Sequence, residues 1–395
     1  EAATTEAALA IVEAAAAAVA EKPMEGLLEE GKEGDIPAAL EAALRVHKEL
    51  GASPVRLIDA RFIIELAERG GVLTRRQDLP EAAFISLEVL RRLPEATGHS
   101  LRILSISHPW QQPDNPDPKS INLRLLARVL RSFIGYPEST QTFAVFLDFL
   151  SLFQKGPNGE ERTEAEASLF KLALSDMMAW YAHHKLFTLK LTRLPPGYPA
   201  GFSFPSGMQP NTAGYSERGW CFCESSVSNM RKDTWMVLDL GKLGPETMGL
   251  NDVIIECTAK RAPPLLPADF RLALAAKSFT SKKADEEMVA SLYEATFEKE
   301  MGEATQLLFH RLQWGDAEAI QLSKVIASGA LPKLKTLLIN HNQIGDEGVK
   351  ALSDTIAGGS LPSLTFLGLI ENKLSQAGKD AIMAAADKRS IACVA

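Results

Sequence analysis

The sequence predicts an α/β protein: an open, mostly parallel sheet preceded by a helical region and followed by a short strand–helix repeat. Three observations carry this. Short apolar runs of strand length alternate with helical patterns from about residue 100 onward. Residues 1–95 show apolar positions at helical spacing with few strand signals. Two segments near the C-terminus repeat at an interval of thirty residues.

Composition bounds the function before any motif is read. The chain has 395 residues, 46% of them apolar, which suits a globular protein of two or three domains. Net charge is −8, and the first fifty residues hold 11 acidic against 4 basic side chains. The remainder is nearly neutral, which argues against a nucleic-acid partner, because phosphate neutralisation needs clustered Lys and Arg. Four cysteines, Cys221, Cys223, Cys257 and Cys393, are too few and too unevenly spaced for a disulfide framework, and no His or Cys pairs stand at zinc spacing. No metal site is expected. No apolar run approaches the roughly 20 residues of a membrane span. A cytoplasmic location follows, with an organelle interior as the alternative if a targeting segment has been removed ahead of Glu1.

In the helical region, 1–95, "DIPAALEAALRVHKEL" has Asp35 as N-cap and Pro37 inside the first turn. "SPVRLIDARFIIELAERGG" repeats the pattern, starting at Ser53-Pro54 and stopping at Gly70-Gly71. The α/β domain, 96–300, is expected to take its strands from "LRILSIS", "FAVFLDF", "FTLKL", "TWMVLDL" and "VIIEC". Runs apolar at nearly every position suit strands covered on both faces. The helices between them include "SINLRLLARVLRSF" and "TEAEASLFKLALSDMMAWYAHH". Ligands of such sheets collect beyond the carboxyl ends of the strands, and "HPWQQPDNPDP", "LSLFQKGPNG" and a long Pro/Gly loop fall there. No Gly-rich phosphate loop follows any strand.

In 301–395, Leu331 matches Leu361 and Asn342 matches Asn372, with Gly315 one period before Gly345. Leucines filling a core, an Asn bonding the turn backbone and a returning helix define leucine-rich repeats, here two full units and a half. The long units resemble the ribonuclease-inhibitor-like class. An array this short needs to dock on something, so a protein partner is expected at the repeats and the N-terminal helices, with self-association as a further possibility.

"YSERGWCFCESS" resembles the Trp-Cys-x-x-Glu segment of Toll/interleukin-receptor (TIR) domains, with Trp220, Cys221 and Glu224 at the matching positions after the third strand. "RRQDLPEAAF", "SISHPWQQPDNPDP", "FLDFLSLFQ", "YSERGWCFCE" and "FRLALAAKSFTSKKADEEMVASLY" resemble a family of uncharacterised proteins of eukaryotic microbes with a TIR-like or heterokaryon-incompatibility-like core. Some TIR domains hydrolyse NAD, and the Glu of this motif is their catalytic residue, so the resemblance implies Glu224 as catalyst and NAD as substrate rather than cofactor. A carboxylate suits that chemistry because cleaving the nicotinamide bond develops oxocarbenium character. Trp220 and Trp110 would stack on flat rings, His108 would hold a proton or a phosphate, and Arg218 would pair with the pyrophosphate.

Each of these residues also has a plainer reading. Glu224 suits the first turn of a helix "ESSVSNM", where negative charge is favoured. Trp220 suits a core anchor, and Asp148, an acid in an apolar strand, needs a partner such as His108 or Arg218. His183-His184 suits a helix C-terminus, and "PDNPDP" a rigid loop. Two function classes result: a non-enzymatic scaffold or assembly subunit making protein–protein contacts, and an NAD glycohydrolase using Glu224.

Overall fold

A computed structural model describes residues 2–20, 36–92, 101–135, 141–157, 159–204, 206, 208–279 and 283–395. They fall into two compact units: the described parts of Glu1–Trp180, Lys185–Ser216 and Asp239–Cys257, and those of Tyr181–His184, Glu217–Leu238 and Thr258–Ala395.

The first unit is built on strands β1 (Leu57–Asp59), β2 (Phe84–Ile85), β3 (Ile103–Ser107), β4 (Ala144–Leu147) and β5 (Phe187–Lys190). With β6 (Val237–Asp239), in which the unit boundary falls, they form a six-stranded sheet ordered β2-β1-β4-β3-β5-β6. β3 lies parallel to both β4 and β5, while β1 runs antiparallel to β4 and β2. Every residue of β3, β4 and β5 is buried, as the unbroken apolar runs predict for strands covered on both faces. The chain leaves β3 for β4 through the helix Ile121–Ile134, then returns through Glu164–Ala182 to β5 on the other side of β3. Strand order therefore switches direction between β3 and β5. Aromatic packing fixes the layers: Phe146 stacks on Trp180 at 5.2 Å, and Phe133 meets Phe143 and Phe187 edge-on at 5.5 and 5.0 Å.

Three expectations change in this unit. The region 1–95 is not wholly helical, because "VRLIDA" and "AAFI" supply β1 and β2. The helix expected from Ser53 starts instead at Ala60, where Asp59 accepts the amide of Arg61 at 2.8 Å as its N-cap. Asp35 lies outside the described residues, and the next helix occupies only Ala38–Leu44. "VIIEC" is not a strand but the end of the helix Leu250–Cys257: Val253 and Cys257, four residues apart, are buried, while Ile255 is 78% exposed.

The second unit includes the helices Gly219–Ser228, Pro267–Leu274 and Lys283–Glu303, knit by Phe222 and Tyr293 stacked on either side of Phe270 at 5.1 and 3.6 Å. Beyond them, β7 (Gln306–Leu308), β8 (Thr336–Leu338), β9 (Phe366–Gly368) and β10 (Ala392–Val394) form a parallel sheet in exact thirty-residue register from β7 to β9, Leu307 beside Leu337 beside Leu367. Helices Asp316–Ala327, Asp346–Ala357 and Gln376–Asp387 return between them. The expected half unit thus has a strand of its own. It escaped notice because Leu312 stands where the later units carry Asn342 and Asn372.

Candidate functional site

The carboxyl ends of β3, β4 and β5 gather the polar side chains of the first unit. His108 follows β3 directly, and Asp148 follows β4 directly. Asp148 takes three donors: His108 Nε2 at 2.9 Å and Phe149 N at 2.7 Å on Oδ1, and Trp110 Nε1 at 2.9 Å on Oδ2. The His108 side chain is 2% exposed and that of Asp148 22%, so the imidazole is enclosed while the carboxylate reaches solvent. Trp110 is braced by Phe149, edge-on at 5.4 Å. Of the two partners expected for Asp148, the structure supplies His108; the other side-chain donor is Trp110 rather than Arg218.

Neighbouring groups complete the edge. Ser107 Oγ and Tyr215 Oη share a hydrogen bond of 2.5 Å, and Lys190 Nζ lies 5.9 Å from the centre of the Tyr215 ring. In the loop after β3, Asp117 accepts the amides of Ile121 at 3.0 Å and Leu123 at 2.7 Å and so fills the N-terminus of the helix Ile121–Ile134. Burial pushes the Asp117 carboxyl up, against the pull of those amides. "PDNPDP" is thus a helix-capping loop, as its prolines and short polar residues indicate. Ser107, Lys190 and Tyr215 went unnoticed in the sequence because nothing in their spacing links a strand end to a loop 108 residues later.

Glu224, Arg218 and Trp220 belong to the second unit. Glu224 is the sixth residue of the helix Gly219–Ser228 and is 6% exposed, so it is not a first-turn carboxylate. Arg218 precedes that helix and is 7% exposed; its backbone bridges Ser278, and Gly219 N donates to Ser278 O at 3.0 Å. Gly219 lets the Phe279 ring pack close, since an added Cβ would come within 1.9 Å of it and force the ring to shift. Trp220 is half-buried and its Nε1 reaches Asp285 Oδ2 at 3.5 Å. Cys223 is fully buried, and burial together with the adjacent Glu224 pushes its thiol well up, which keeps it from acting as a thiolate. The five proposed site residues therefore divide between the units: His108 and Trp110 in the first, Arg218, Trp220 and Glu224 in the second.

Among the described residues, no group of three His, Cys, Asp or Glu is placed to hold a metal ion, and no helix is long and apolar enough to cross a membrane. No protein-family model matches the chain, and no curated protein matches it.

Proposed function

We propose that the protein is a non-enzymatic scaffold or assembly subunit, with a TIR-like core and a short ribonuclease-inhibitor-like leucine-rich repeat that receives a protein partner. The observation that carries this is the outward face of the C-terminal sheet. Leu308, Leu338 and Phe366 lie partly open on it, with Ile370 46% and Val394 38% exposed beside them. Leu308 and Leu338 stand side by side in register, and apolar side chains left partly open on an ordered sheet are what a protein partner covers. A photo-crosslinking residue at Leu338 should give a discrete protein adduct that Ile370→Asp removes, whereas the same residue at Met383, on a returning helix, should give none. Equal labelling from both positions, or none from either, would sink this reading.

The alternative is an NAD glycohydrolase using Glu224. It is supported by the position of Glu224 in the Trp-Cys-x-x-Glu motif and by its burial at 6% exposure, where a carboxylate needs a compensating partner. Nicotinamide release that Glu224→Gln abolishes at unchanged melting temperature would establish it; release unaffected by that change would remove it.

A further inference from the structure

The helix Leu250–Cys257 carries a large apolar side chain where a surface helix carries a polar one. Val253 and Cys257 face the core, and Ile255, about 200° around the axis from Val253, is 78% exposed. Its neighbours one turn back, Asn251 and Asp252, are exposed as well, while Leu250 and Ile254 are half-buried. The first helical bond runs from Val253 N to Gly249 O at 3.0 Å, so Gly249 is the N-cap residue and Met248 stands just before it. An apolar residue there commonly packs on the fourth helical residue, here Val253, yet Met248 is 76% exposed. Ile255 lies about 8 Å along the axis from Leu250, and Met248 only two residues before Leu250.

This exposure belongs to an ordered segment. Gly244 N donates to Glu256 Oε1 at 2.9 Å and Thr247 Oγ donates to Glu256 Oε2, which ties the loop ahead of the helix to its last turn. Arg128, on the helix Ile121–Ile134, donates to Gly244 O at 2.8 Å and Pro245 O at 2.9 Å. These bonds keep two large apolar side chains in water on one short stretch, and a covering partner would recover that apolar area.

Charge narrows what the partner can be. From Leu243 to Ala259 the chain has Glu246, Asp252 and Glu256 and no Lys or Arg. The cation packed beside them, Arg128, is committed to the two carbonyls. Such a rim repels anionic lipid and nucleic acid, and a second copy meeting it across a two-fold axis would set these carboxylates against one another. A helix face offers no strand edge to pair with, so the partner satisfies its own backbone, as a helix does.

We propose that this face receives a basic amphipathic helix of another protein, its apolar stripe on Ile255 and Met248 and its Lys or Arg side chains against Glu246 and Asp252. The surface belongs to the first unit and does not depend on the reading of the leucine-rich repeats.

The test is a fluorescence-anisotropy titration of the full chain with a labelled amphipathic peptide of Leu and Lys, its Leu residues on one helical face. Two controls replace Lys by Glu or scramble the same residues. The Leu/Lys peptide should bind saturably and both controls about tenfold weaker or more. Ile255→Gln and Met248→Gln, each at an exposed position and of unchanged melting temperature, should each weaken the peptide about tenfold. Glu246→Gln should flatten the salt dependence. No binding, equal affinity for the scrambled peptide, or full affinity in both variants would each overturn the proposal. So would a concentration-dependent dimer that Ile255→Gln abolishes, because the face would then belong to a second copy.

Discussion

Asn342 Oδ1 accepts the amide hydrogen of Trp314 at 3.1 Å, across 28 residues of chain. It also accepts from Leu312 at 3.0 Å, while its Nδ2 donates to Phe309 O at 2.7 Å and Ile339 O at 3.0 Å. One buried side chain thus satisfies backbone groups of two consecutive repeats. Asn342→Ala would strand those groups where water does not reach, at a cost of about 3 kcal/mol. Urea unfolding should show this loss, and a smaller one for Asn372→Ala, because Asn372 is half-buried and takes only one amide, Ile344 N at 3.1 Å.

Gly348 is a second point of contact between repeats. Its amide donates to Asp316 Oδ1 at 2.9 Å, and an added Cβ would come within 2.7 Å of that oxygen and 2.9 Å of the Asp316 Cα. Backbone cannot step aside as a flexible side chain does. Gly348→Ala should therefore destabilise by about 1–3 kcal/mol despite the higher helix propensity of alanine. Gly302→Ala, where nothing lies within 4 Å, should instead stabilise or be neutral, and thermal unfolding of the two variants separates these outcomes.

The contrast between these repeats and the α/β unit shows what a sequence carries. Leu331, Leu361, Asn342 and Asn372 announce their roles because the same job recurs at a fixed interval. β3, β4 and β5 were legible because burial on both faces demands unbroken apolar runs. β1 and β2 were not: each is three residues or fewer, and "LID" flows straight into the helix that Asp59 caps. "VIIEC" misled because four apolar residues in five suit a strand, and only burial of Val253 and Cys257 four apart reveals the helix. His108, Trp110 and Asp148 were each visible as polar breaks after apolar runs, but their meeting depends on β3 and β4 being adjacent, which spacing does not encode.

That meeting is open to direct measurement. Asp148→Ala removes the acceptor of both His108 Nε2 and Trp110 Nε1 and should cost about 1–3 kcal/mol. The indole N–H resonance of Trp110 should shift strongly. That of Trp314, whose Nε1 donates to Arg261 O at 2.7 Å in the second unit, should stay in place. A stationary Trp110 resonance would mean that the bond to Asp148 does not persist in solution.

The last prediction concerns acid stability of the repeats. Asp346 takes the hydroxyl of Ser375 at 2.6 Å and its amide at 2.9 Å, and these two bonds, the hydroxyl first, hold its carboxyl below the ordinary value of 3.8. The folded state therefore binds this proton less readily than the unfolded chain, so stability rises with pH across the interval between the two values. The contribution is fully present above 3.8 and is lost as pH falls through the lowered folded value. Asp346→Asn cannot titrate. Its stability deficit against the unmodified chain should be largest at neutral pH and shrink on acidification, as followed by urea midpoints from neutral pH to about pH 3. Parallel curves would show that Ser375 does not hold this carboxylate in solution.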